Sequence, residues 1–185
     1  MIETGDLRKG LTLEIDGVLY QVLDYQHLKL GRGSAQVRLR LRDVRAGHIT
    51  ERSVQAGAKF MRARVERQPA QYLYREGDLI YLMNSQTYEQ IPLDVALIGD
   101  AINYLKENDT CDLLMYGDEA IGVELSASVD LSVAETEPWV RGDTAQGGTK
   151  PARLETGLVA QVPLHISQGD VVKVDTRTGQ YLGKA

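Results

Sequence analysis

The chain has 185 residues, a formal net charge of -5, 43% hydrophobic residues and one cysteine. A single cysteine makes no internal disulfide, no apolar run approaches the roughly 18 residues of a membrane-spanning helix, and the opening MIETGDLRKG lacks the apolar stretch of a signal peptide. A cytoplasmic monomer without membrane contact is expected.

Strand- and turn-forming residues prevail, with 18 glycines and 9 tyrosines, so the expected fold class is all-β. From Leu11 the pattern reads as short strands: LTLEID, a turn at Asp16-Gly17, VLYQVLDYQHL, the loop KLGRGS, then AQVRLRLRDV. Asp-Gly between apolar runs is a strong hairpin signal. On the last of these strands Val37, Leu39 and Leu41 share one face and Arg38, Arg40 and Arg42 the other, because successive side chains alternate. One face packs and the other presents guanidinium groups. A turn at Ala46-Gly47 and the strand ITERSV complete a small SH3-like barrel of five strands.

The texture changes near RVERQPAQ, which places domain boundaries at 1–64, 65–127 and 128–185. The second unit is strand-rich and suits an OB-type barrel. It carries one helix over Asp94–Asp109, where Val95, Ile98, Ile102 and Leu105 recur at spacings of three and four and Gly99 weakens the middle. The third unit, with turns at Thr156-Gly157, Gly169-Asp170 and Thr178-Gly179, reads as a second five-stranded barrel. Trp139, the one tryptophan, can anchor the base of the Gly-rich loop WVRGDTAQGGTKPA or stack on a base; packing is the expected role.

The charge is uneven. Residues 25–64 hold ten lysines and arginines against two acids, a balance of +8, whereas residues 65–185 hold nine bases against nineteen acids, a balance of -10. Such asymmetry suggests a local polyanion contact; the plain alternative is a solvated arginine-rich face. The candidate contacts are the loop residues Lys29, Gly31, Arg32 and Gly33 and the strand residues Arg38, Arg40 and Arg42. In that loop Gly31 and Gly33 tolerate positive φ and put Arg32 at the apex.

Catalysis is not expected. His27, His48 and His165 are scattered, Cys111 has no cysteine neighbour with which to hold zinc, and no GxSxG elbow occurs. GRGSAQ resembles the start of a dinucleotide-binding motif, but that motif needs a helix N-terminus after its glycines and a period-two strand follows instead. The acids are not spaced as a Ca²⁺ loop. No metal and no cofactor are expected.

The basic hairpin KLGRGSAQV, the segment YLYREGDLIYLMNSQTYEQ and the long run VRGDTAQGGTKPARLETGLVAQVPLHISQGDVVKVDTRTGQYLG together resemble bacterial elongation factor P over essentially the whole chain. Lys150, Ala152, Gly157, Val162, Pro163, Ile166 and Gly169 match the family signature; Ala160 stands where a larger aliphatic residue is usual. The resemblance implies an SH3-like (KOW-type) domain followed by two OB-fold domains in an L-shaped, tRNA-like outline. It also implies a non-enzymatic factor that binds both ribosomal subunits between the peptidyl and exit tRNA sites and relieves stalling at consecutive prolines. Arg32 falls on the family's tip residue, which is an enzymatically extended lysine in many members and a sugar-bearing arginine in another group. Peptidyl-tRNA and a tip-modifying enzyme are thus implied partners. Leu30 stands where the lysine type commonly has proline, and Gly33 where the sugar-bearing type often has asparagine. Gly142, Asp143 and Thr144 match a loop that lies near exit-site mRNA in the family. The alternative function is a general RNA- or single-strand-binding OB protein acting off the ribosome.

Overall fold

The computed structural model describes residues 1–29, 31–139 and 147–185. Three sheets account for nearly all the regular structure. The first contains β1 (Ile2–Glu3), β2 (Thr12–Ile15), β3 (Val18–Leu28), β4 (Gln36–Asp43), β5 (Ile49–Gln55) and β6 (Lys59–Arg62), in the order β1-β6-β2-β3-β4-β5. That is six strands rather than the expected five. The two-residue β1 is too short to carry a period, and it is recruited by pairing Ile2 with Phe60.

Leu7, Leu13, Tyr20, Val22, Val37, Leu39, Leu41 and Phe60 form the core inside this sheet. Alternation along β4 is strict: Val37, Leu39 and Leu41 are fully buried, while Arg38 and Arg40 are exposed and Arg42 half-buried. A slip of one residue would put three guanidinium groups into the core, so the pattern itself pins the register. β3 pairs with β4 from Tyr20 opposite Asp43 to Leu28 opposite Gln36, with a bulge between Val22 and Asp24.

The second sheet contains β7 (Glu66–Glu76), β8 (Leu79–Asn84), β9 (Gln90–Asp94), β10 (Thr110–Tyr116) and β11 (Glu119–Glu124), in the order β11-β10-β7-β8-β9. The single continuous helix expected over Asp94–Asp109 does not form. α1 is a single turn, Val95–Ile98, started by the Asp94 carboxylate accepting from the Ala96 amide at 2.9 Å. Gly99, at φ 53° and ψ -128°, ends it. The chain continues as 3-10 turns over Gly99–Tyr104 and leaves extended at Leu105. Ile98, Tyr104 and Leu105 are nonetheless buried. Apolar spacing of three and four serves tandem short turns as well as one helix.

The third sheet contains β12 (Ser128–Thr136), β13 (Thr149–Leu154), β14 (Val159–Pro163), β15 (Val171–Asp175) and β16 (Tyr181–Lys184), in the order β14-β13-β12-β15-β16. Its core of Leu131, Val133, Leu154, Val162, Ile166, Val172 and Val174 takes in Tyr104 from the preceding segment. Ala160 is buried in the same cluster. The Thr156 hydroxyl donates to the Asn103 carbonyl at 2.5 Å, and the Lys106 ammonium donates to the Asp130 carbonyl at 3.0 Å.

By contact density the chain divides into two compact units. One comprises Met1–Gln68 with Leu113–Gly122, and the other Pro69–Asp112 with Val123–Ala185. The first unit therefore carries the turn between β10 and β11 as well as the first sheet.

Candidate nucleic-acid interface

β3 and β4 run out to a turn at Gly31-Arg32, with Gly33 in a bend beyond it. Lys29, Gly31, Arg32 and Gly33 are all exposed. Gly31 sits at φ 54°, a left-handed conformation that costs a residue with a Cβ about 1–2 kcal/mol. A Cβ there would meet nothing within 4 Å. The glycine answers a backbone requirement, not crowding.

Behind the tip the arginines of β4 are not equivalent. Arg40 lies between Asp24 on β3 and Glu51 on β5. Arg38, one rung nearer the tip, lies between Gln26 and Ser53, and Arg42 between Gln21 and Ile49. Directly opposed pairs on one face sit about 4.5–5.5 Å apart at Cβ, so a facing carboxylate lowers the local positive potential. Asp24 is itself held by Lys9 at 3.2 Å. The Lys9 hydrogen bond, followed by the Tyr25 amide and the Lys9 charge, keeps the Asp24 carboxyl below the ordinary carboxylate range.

The remaining cations of the basic segment sort themselves by partner. Arg45 is bound by Glu119. Arg52 reaches Asp16 at 3.5 Å and lies over the Tyr20 ring, 5.3 Å from its centroid. Lys59 approaches Glu3 at 3.9 Å. Arg38, Arg40 and Arg42 make no hydrogen bond or ion pair with described residues. Arg62 and Arg64, which composition counts but no motif singles out, are likewise exposed at the end of the basic segment. Sequence separation hides the pairing of Arg45 and Arg52, because Glu119 and Asp16 are 74 and 36 residues away.

Trp139 is 51% exposed, so the packing role expected for it is corrected. The hydrophobic positions of β12 and β13 are already filled from Leu131, Val133, Ala152 and Leu154, and the chain has left the sheet at Thr136, three residues before Trp139. Gly142, Asp143 and Thr144 lie outside the described residues. Lys150 is buried, its ammonium donating to the Glu137 carbonyl at 2.5 Å. Burial, with Asp112 and Asp109 nearby, pushes the Cys111 thiol up to about 11, which suits a packed side chain and not a nucleophile. No group of three or more metal-ligating side chains is gathered among the described residues, and no helix there is long and apolar enough to cross a membrane.

Comparison with known proteins assigns every part of this arrangement to one family. Sequence profiles match in succession: the elongation factor P (EF-P) KOW-like domain over residues 3–60, the elongation factor P (EF-P) OB domain over 65–123, and elongation factor P, C-terminal, over 129–184. The protein named elongation factor P from Moorella thermoacetica is 53% identical over 185 residues, covering 100% of both chains. Its namesake from Carboxydothermus hydrogenoformans is 51% identical over 182 residues, covering 98% of both. A solved structure, eukaryotic translation initiation factor 5A from Methanococcus jannaschii, aligns with a TM-score of 0.51 over 68% of this chain and 90% of that one. Its 23% identity makes it a likeness of fold. The fold is thus all-β, with a KOW-like unit preceding an OB unit and a C-terminal β-unit.

Proposed function

The chain belongs to the elongation factor P family, and we propose that it binds the ribosome between the peptidyl and exit tRNA sites and speeds peptide-bond formation at consecutive prolines. Membership makes it a translation elongation factor associated with the ribosome, not an enzyme of the metabolic kind. The finer reading is carried by one observation: a row of cations on one face of β4, Arg38 and Arg40 exposed and Arg42 half-buried, leads to a glycine-flanked arginine on an otherwise acidic chain.

Proline fixes φ and lacks a backbone N–H, so donor and acceptor meet poorly. Arg32, with Lys29 and the Gly31 and Gly33 backbone, contacts the acceptor end of the peptidyl-tRNA and holds it ready for attack. Arg38 and Arg42, and more weakly Arg40, bind phosphates, which sets register without reading sequence. The ribosome performs the bond chemistry, and the factor lowers the entropic part of the barrier. About 2.7 kcal/mol of better positioning gives a hundredfold rate gain.

Arg32 is exposed and open to a tip-modifying enzyme. Gly142, Asp143 and Thr144 face exit-site mRNA, the domain boundaries fall at 1–64, 65–127 and 128–185, and the factor acts as a cytoplasmic monomer. Binding distinguishes it from a general single-strand-binding protein. Sedimentation with intact ribosomes, alongside filter binding of free RNA oligonucleotides at the same salt, is expected to give tight ribosome binding and negligible oligonucleotide binding. Equal affinity for both would favour the off-ribosome reading.

A further inference from the structure

We propose that Arg45 and Glu119 form a positioning clamp, which fixes the first barrel on the β10–β11 hairpin and thereby sets where the basic tip points. The pair is built from two rigid turns. In the β4–β5 turn the Asp43 carboxylate accepts from the amides of Arg45 and Ala46, both at 2.9 Å. The Gly47 amide donates to the Asp43 carbonyl at 2.8 Å, and the Asp43 amide to the His48 carbonyl at 2.8 Å. Arg45 is therefore launched from a backbone with little freedom. Glu119 is the first residue of β11, directly after the turn at Gly117-Asp118, where Gly117 takes φ 59°.

The two side chains meet as a fork. Arg45 Nε donates to one Glu119 carboxylate oxygen at 3.0 Å and Nη2 to the other at 2.9 Å. A bidentate arginine–carboxylate pair fixes direction as well as distance, which a single lysine contact does not. The Arg45 hydrogen bond holds the Glu119 carboxyl below its ordinary range, and the Arg45 guanidinium is raised by the same contact. Both partners belong to the same compact unit, although 74 residues separate them.

The clamp sits at the opposite end of β4 from the tip. At about 3.3 Å per residue, Arg32 lies up to roughly 35 Å from Asp43 along the strand, so a rotation of about 2° at the base moves the tip by about 1 Å. Because β5 pairs with β4 from Ile49 to Gln55 and β3 pairs with it from the other side as far as Leu28, the strands that carry the tip move with the sheet. A misplacement of that size can cost up to about a hundredfold in a reaction that depends on alignment. An exposed ion pair of this kind adds little to stability; it is the bidentate geometry that bears on aim. It also withdraws Arg45 from the cations available to RNA.

This inference rests on the ribosomal reading for its consequence but not for its geometry, so the test has two arms. In the free protein, residual dipolar couplings for the first barrel and for residues 113–122 should report one shared orientation in the wild type. Glu119→Gln should break that agreement, and the swap Arg45→Glu with Glu119→Arg should restore it. On the ribosome, Glu119→Gln is expected to lower the saturating rate of triproline synthesis by roughly threefold to tenfold, within what misalignment can cost. Its half-saturating concentration should be unchanged, and the swap should recover the rate. Agreement of the couplings in Glu119→Gln would overturn the clamp, as would a saturating rate equal to the wild type. If the wild type itself gives no acceleration, the ribosomal reading fails while the couplings alone decide the clamp.

Discussion

Asp24 and Arg40 stand directly across the β3–β4 ladder from one another, and Lys9 closes on the same carboxylate at 3.2 Å. One rung nearer the tip, Arg38 faces Gln26. The positive potential of the strand is therefore lowered at its middle and rises toward the loop. A chain with a net charge of -5 thus presents a basic surface behind the glycine-flanked turn at Arg32.

That gradient predicts unequal salt effects. Replacing a phosphate-contacting cation reduces the slope of log affinity against log salt by about 1. Arg38→Ala should do so in ribosome-binding titrations across a potassium chloride series, whereas Arg40→Ala should change the slope by clearly less. Equal changes would mean that the facing carboxylates do not matter.

The two faces of β4 predict opposite phenotypes for neighbouring residues. Leu39 is fully buried in the first core, so Leu39→Ala should cost about 2–5 kcal/mol. Arg38→Ala, next to it but outward, should stay within about 0.5 kcal/mol. Urea unfolding of the two variants checks this, and a large loss for Arg38→Ala would indicate a structural duty that the geometry does not contain.

Acid should weaken the fold through identifiable groups. Lys9 holds the Asp24 carboxyl low, Arg45 does so for Glu119, and the Ser167 amide with Lys184 does so for Asp170. Each folded value lies below the unfolded one. The stabilisation is therefore present in full above the ordinary carboxylate range and is lost as pH falls through the depressed values. Melting temperatures should be flat from about pH 7 to 5 and fall below about pH 4. The triple variant Asp24→Asn, Glu119→Gln, Asp170→Asn should show a shallower acid limb; an unchanged limb would assign the loss to other carboxylates.

Tyr104 belongs by sequence to the helical segment of the second unit but packs in the third core. A Cβ on Gly179, which sits at φ 74°, would come within 3.1 Å of the Tyr104 hydroxyl. Gly179→Ala should therefore cost more than the about 1–2 kcal/mol of left-handed strain alone. The excess should disappear in a Tyr104→Phe background. A double-mutant cycle by chemical denaturation measures that coupling, and a zero coupling energy would show that the contact relaxes freely.

Local pattern made much of this molecule legible. Period-two alternation identified both faces of β4, and turn glycines marked the hairpins. What sequence could not supply was everything that depends on distant residues. The pairing of β1 with β6 has no local signal, and the conformation of Gly99 replaced one helix by short turns. Arg40 differs from Arg38 only through Asp24 and Glu51, which lie on other strands. Trp139 read as a core anchor because tryptophan usually is one, yet the strands beside it had already filled the interior.

The most direct test of the central claim is the rate of Pro-Pro-Pro peptide synthesis by purified ribosomes with the recombinant protein, its Arg32→Ala variant, and the protein purified from its native cells. Acceleration by the wild type, recombinant or native, and its loss in Arg32→Ala with ribosome binding retained, is the predicted result. No acceleration by either wild-type preparation, or full acceleration by Arg32→Ala, would contradict the account.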